Sequence, residues 1–211
     1  MNWLAHIFLS EDDIAYQHGN LLADMLKGRS WEGASPQFDA GLSMHRAIDS
    51  FTDSHPLVNN SISRLCDSGY LKRVVIDITY DHLLAKHWQR FANLSLEQFI
   101  EAFHERSSVE MASYPQRARH FIFRLIQSGH LLDYQSITVL DKAFRRIEMR
   151  LSARVLAKEH MLDYLPIVKR ELSKIEQDFL DFMPELINHF TSQAKLISGN
   201  HWLKQINSDC L

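Results

Sequence analysis

Two aspartates four residues apart interrupt an otherwise apolar run, Val74-Val75-Ile76-Asp77-Ile78-Thr79-Tyr80-Asp81-His82-Leu83-Leu84. On a helix this spacing puts Asp77 and Asp81 on one face, one turn apart. The run predicts a buried helix, where an unpaired carboxylate costs roughly several kcal/mol. A divalent cation would relieve both the burial and the repulsion between the two charges. The ordinary alternative is ion pairing: Arg73 lies four residues before Asp77, and His82 could serve a neighbouring carboxylate. A second face, in Met44-His45-Arg46-Ala47-Ile48-Asp49-Ser50-Phe51-Thr52-Asp53, offers His45, Asp49 and Asp53 at four-residue steps. Such i, i+4 pairs let one helix supply two ligands to one ion; a solvated face with a weak Arg46–Asp49 pair is the alternative. Asn20 and Asp24 share a third face in Gly19-Asn20-Leu21-Leu22-Ala23-Asp24, where Asn20 could instead cap and Asp24 pair with Lys27. His6 lies in the apolar opening segment, where a satisfied core histidine is the usual case. Three helices thus bring Asp, and one of them His, before residue 83. Asp and His without cysteine point to Mn²⁺, Mg²⁺ or Fe²⁺ rather than structural zinc. An ion in such a cage makes a nucleophile of water near neutral pH and screens phosphate charge, which suggests phosphoester hydrolysis.

The elements that must position these residues are helices. Residues 2–9 form a short apolar helix or lead-in, and 13–27 a second apolar stretch with Gly28 as its stop. Gly33 to Pro36 read as a loop. A helix over 36–54 ends at His55-Pro56, followed by a shorter one over 59–68 and a long one over 70–92. Ser95 caps the next, which the Tyr114-Pro115 step breaks. Segments near 117–128, 136–155 and 164–191 keep helical stride. No segment alternates as a strand, so the predicted fold is an all-α, single-domain multi-helix bundle over 1–195, with 196–211 as a polar tail.

Composition agrees. At 45% apolar residues the 211-residue chain can bury a substantial core, and 7 Gly and 5 Pro are few for a sheet protein. A net charge of −3 carries no basic excess to mark a nucleic-acid binder. Cys66 and Cys210 lie far apart with no CxxC pattern, which suits a reducing cytosol. The opening segment lacks the basic start and cleavage site of a signal peptide, and no run approaches a membrane span. A cytoplasmic protein is expected.

The blocks Asn2-Trp3-Leu4-Ala5-His6, Gly19 to Asp24, Met44 to Asp53, and Asp77-Ile78-Thr79-Tyr80-Asp81-His82-Leu83-Leu84-Ala85-Lys86-His87-Trp88 resemble, in this order, the bacterial acyl carrier protein phosphodiesterases, also called acyl carrier protein hydrolases. The resemblance covers about the first ninety residues; beyond them only length and helical character agree. It implies removal of the 4′-phosphopantetheine arm from holo-acyl carrier protein, and a fold related to the HD-type metal-dependent phosphohydrolases, with Mn²⁺ favoured and Mg²⁺ or Fe²⁺ as alternatives. Ordinary HD proteins carry adjacent His-Asp, whereas here the pair is reversed, Asp81-His82. Carried over by position, the metal-ligand candidates are Asp24, His45, Asp49, Asp77 and Asp81, with His6 as an additional member. Asn20, Arg46 and His82 are expected to support the ligands or face phosphate, and His82 or His87 could protonate the leaving serine oxygen.

Acyl carrier proteins are acidic, so the docking face should be basic. Candidates are Lys27, Arg29, Arg46, Lys72, Arg73, Lys86 and Arg90 beside the motif blocks; Arg145, Arg146, Arg150 and Arg154; or Arg117, Arg119 and Arg124. Two other readings stay open: a phosphohydrolase of a nucleotide or small phosphate ester, for which no Gly-rich phosphate loop speaks, and a non-catalytic helical scaffold that binds carrier protein.

Overall fold

The computed structural model describes residues 1–193 and 201–204. Among these the chain is all-helical with no strand; an isolated antiparallel bridge joins Ala92 to Leu203. The helices are α1 (Trp3–Phe8), α2 (Ile14–Leu22), α3 (Pro36–Ser54), α4 (Pro56–Ser63), α5 (Lys72–Lys86), α6 (Trp88–Phe91), α7 (Leu96–Glu110), α8 (Gln116–Ser128), α9 (His130–Asp133), α10 (Thr138–Glu148), α11 (Ala153–Leu156) and α12 (Tyr164–Gln193). No described helix is long and apolar enough to cross a membrane.

The main core joins Leu4, Ile7 and Phe8 of α1 to Tyr80, Leu83 and Leu84 of α5 and to Phe179, Phe182 and Leu186 of α12. As its apolar run predicts, α5 is buried continuously from Ile78 to Ala85. A smaller cluster, from Leu22, Phe38, Leu42, Tyr114 and Ile122, holds α2, α3 and α8 together.

α3 begins where Ser35 accepts the Phe38 N–H and Pro36 supplies a preset φ at the first helical position. It packs on α2 at backbone distance. A Cβ on Gly19 would stand 2.0 Å from the Phe38 carbonyl oxygen, and one on Gly41 would stand 2.1 Å from that of Tyr16. Only glycine fits either position. Their approach brings the main chain at Asn20 within reach of side chains on α3.

Several boundaries differ from expectation, each for a local reason. α2 stops at Leu22 rather than residue 27, because the chain turns through positive φ at Lys27 (54°) and Gly28 (67°), and the Gly28 N–H bonds back to Ala23 O at 2.8 Å. α4 starts at Pro56 rather than 59, with the His55 ring accepting the Leu57 N–H. The helix expected over 70–92 breaks at His87 into α5 and α6, and the one expected over 136–155 breaks before Ser152, whose hydroxyl accepts the Val155 N–H and starts α11.

The polar tail expected from residue 196 is also corrected where it is described. His201, Trp202 and Leu203 are buried. The Trp202 indole N–H donates to Phe8 O at 2.7 Å and its ring packs on Phe99, while Asn93 N–H donates to Trp202 O at 2.7 Å. These residues belong to the helical body. Residues 194–200 and 205–211 lie outside the described residues.

Candidate metal centre

Asn20 organises the site. It is fully buried, and its amide nitrogen donates to His6 O (2.8 Å) and Ser10 Oγ (3.0 Å). Its side-chain oxygen lies 2.8 Å from His6 Nδ1, and its main-chain carbonyl lies 2.8 Å from His45 Nδ1. A carbonyl oxygen only accepts, so each ring donates from Nδ1 and turns Nε2 the other way. The two imidazoles stack with centroids 4.0 Å apart. Both Nε2 atoms then meet Asp49: His6 at 3.3 Å from Oδ1, His45 at 3.1 Å from Oδ2. His45 Nε2 also lies 3.3 Å from Asp24 Oδ1. One ligand atom from each of His6, His45 and Asp49 falls within 4.8 Å of the others.

The rings are buried, but the Asp24 side chain, in the turn after α2, is 92% exposed. The site is therefore closed behind and open at Asp24. Burial lowers the His6 pKa. For His45, burial pulls down too, but Asp24 and Asp49 outweigh it and raise the pKa to about 9. Burial pushes Asp49 up, and the two imidazoles win, holding its carboxyl well below the usual carboxylate range. Asp24 is lowered by its hydrogen bond with His45. Two fixed imidazoles and an ionised carboxylate converge, with each far nitrogen held by an oxygen. That donor chemistry fits a divalent cation and includes the outer hydrogen bonds that tune one.

The other expected site residues stand elsewhere. Asp81 is fully buried and accepts the Leu4 N–H (2.9 Å) and the Ala5 N–H (3.1 Å), two amides of the first turn of α1 that the Asn2 side chain leaves uncapped. Burial raises its pKa to about 7, against the pull of those amides. It ties α5 to α1 and so positions His6. Asp77 pairs with the Met1 amine (3.0 Å), which also lies 3.8 Å from Asp49. Neither Asp77 nor Asp81 is in the three-residue group. Arg46, expected to face phosphate, donates to Gly28 O and Ser43 Oγ, fastening the turn that carries Asp24. His82 Nδ1 lies 2.7 Å from Tyr134 O, and burial lowers its pKa, so its ring is held neutral with that N–H committed. His87 meets Glu176 instead of the cluster. Asp53 pairs with Arg73, so Arg73 does not take the place beside Asp77 that the spacing offered it.

Ser10 also belongs to the site, although no motif in the sequence singles it out. It bonds both His6 O and Asn20, and its four-residue step from His6 was the available signal. A cleft of about 840 Å³ opens beside Asp24, lined by Trp3, Leu21, Met25, Phe121, Arg124 and Arg146 among others.

The model of the acyl carrier protein phosphodiesterase family matches residues 1–186. The chain belongs to that family. Among its relatives named acyl carrier protein phosphodiesterase, that of Photorhabdus laumondii is 32% identical over 161 residues, covering 72% of this chain and 80% of the relative. That of Pectobacterium atrosepticum is 28% identical, covering 71% and 79%. That of an Escherichia coli O6:H1 strain is 24% identical over 196 residues, covering 92% and 100%. The likeness thus extends well past the first ninety residues. No solved structure matches the chain.

Proposed function

We propose that this chain hydrolyses the phosphodiester that joins 4′-phosphopantetheine to a serine of holo-acyl carrier protein, giving apo-acyl carrier protein and 4′-phosphopantetheine. The observation that carries the reading is the convergence of His6 from α1 with His45 and Asp49 from α3 in a chain that belongs to this family. His6, His45 and Asp49 would hold a divalent ion, Mn²⁺ first and Mg²⁺ or Fe²⁺ as alternatives, with Asp24 completing the set from the open side. Such an ion lowers the pKa of water toward neutrality and neutralises charge on a phosphoryl oxygen.

The chain's own residues do the rest. Asn20 fixes both imidazole tautomers, so Nε2 of each is a lone-pair donor whenever its proton is lost. Asp81 holds α1, and with it His6, against α5. Asp24, exposed and ionised, faces incoming substrate and can accept a hydrogen bond from an attacking water. Trp3, Leu21 and Phe121 shield one flank of the cleft from solvent. The relation to HD-type phosphohydrolases is part of the proposal; helix-borne His and Asp around one point support it, although the adjacent pair is the reversed Asp81-His82.

The test is incubation with holo-acyl carrier protein and Mn²⁺, read by intact mass. The expected result is loss of the phosphopantetheine mass with metal and none with chelator. An unchanged carrier protein, with metal bound to the enzyme, would sink the reading.

A further inference from the structure

Two of the basic clusters seen in the sequence form one surface. α8 and α10 face each other across the cleft beside Asp24 and line it with Arg117 and Arg124 from α8, and Arg146 and Arg150 from and just beyond α10. None of these four makes an ion pair or side-chain hydrogen bond among the described residues. Asp24 is the one carboxylate in the cleft lining. Between Pro115 and Leu132 there is no Asp or Glu at all, in a chain whose net charge is −3. The basic residues beside the motif blocks are largely spoken for: Arg73 pairs with Asp53, Lys86 with Glu176, and Arg46 and Lys72 bond to carbonyls. Arg145, next to the cleft, pairs with Asp141.

Four like-charged guanidiniums lining one cleft with a single carboxylate repel one another and set up a positive potential over it. Their planar forks suit carboxylates. The cleft lining also carries Trp3, Phe121 and the exposed Met149. Arginine, aromatics and methionine are the residues that interfaces enrich. One diester phosphate, already served by an ion, does not require four arginines; a row of carboxylates does.

We propose that the α8–α10 arginine cleft is the docking surface for the acidic face of the carrier protein, which presents its phosphodiester to Asp24 and the His6–His45–Asp49 cluster. The proposal rests on the function proposed above. Docking delivers the modified serine to the open side of the site, leaving the apolar wall of Trp3, Leu21 and Phe121 for the arm.

The experiment is fluorescence anisotropy of labelled apo- and holo-acyl carrier protein with metal-free enzyme, so that binding is read without turnover. Arg124→Glu/Arg150→Glu should weaken both forms by about tenfold or more, and Arg124→Gln/Arg150→Gln by less. Arg90→Glu/Lys169→Glu, with the same change in net charge elsewhere, should bind as wild type. Added salt should weaken wild-type binding more than that of the Glu variant. Equal affinity of wild type and the Glu variant for the apo form overturns the proposal. A loss confined to the holo form also overturns it, because the arginines would then read the arm's phosphate. If wild type binds both forms and the Glu variant does not, yet no phosphopantetheine is released with Mn²⁺, docking stands and the catalytic reading falls.

Discussion

α2 carries two buried polar sites two residues apart, and they are built oppositely. His18 places Nδ1 3.0 Å from Tyr114 Oη and Nε2 2.8 Å from Ser107 Oγ. Both ring nitrogens are satisfied by neutral hydroxyls, and burial drops the pKa to about 3. Asn20 instead satisfies one nitrogen of each of two histidines and leaves both Nε2 atoms facing Asp49, that of His6 also lying 3.2 Å from Met1 O. The first site is closed on neutral partners and can only hold α2, α7 and the segment at Tyr114 together. The second keeps its donors aimed at an anion beside an open mouth. A buried histidine is therefore read by what its second nitrogen meets.

The comparison is broken most severely at Asp49. Asp49→Ala should lower turnover of holo-carrier protein by more than about 100-fold, beyond the range for residues that only support a ligand. Asn20→Ala comes next: it removes the acceptor that sets His6, and Mn²⁺ affinity should fall by about 10–100-fold in a calorimetric titration. Retained affinity would mean that the His6 tautomer is set some other way.

His18→Gln should sharpen the contrast. The His18 pKa is depressed when folded, so the unfolded chain binds the extra proton. Wild-type stability is full above about pH 6.5 and is lost as pH falls toward about 3, on the order of 1.4 kcal/mol per unit at most. Denaturant midpoints across this window should fall less steeply in the variant, with Mn²⁺ affinity little changed. Asp81→Asn should act on stability more than on metal. Loss of one amide acceptor should cost about 1–3 kcal/mol of stability, while Mn²⁺ affinity stays within about tenfold. A loss as large as that of Asp49→Ala would return Asp81 to the ligand set.

These contrasts mark what could be read from sequence. The all-helical class, α3 over 36–54 with its His55-Pro56 stop, and the His45/Asp49 face follow from spacing and the break before proline alone. Asp81 does not, because i, i+4 spacing tells which residues share a face but not what that face meets; the uncapped first turn of α1 lies against it. Gly19 and Gly41 reveal their purpose only when both helices are in place. Trp202 was hidden in a polar stretch, where a single large side chain outweighs local composition. The joining of Arg117 and Arg124 with Arg146 and Arg150 likewise needed the tertiary fold.

The central claim is that His6, His45 and Asp49 form an ion site and His18 does not. Its most direct test is Mn²⁺ titration followed by electron paramagnetic resonance of the free ion, for wild type, His18→Gln and Asp49→Ala. Wild type and His18→Gln should both take up Mn²⁺ stoichiometrically, and Asp49→Ala should leave it free. Uptake by Asp49→Ala equal to wild type would contradict the account.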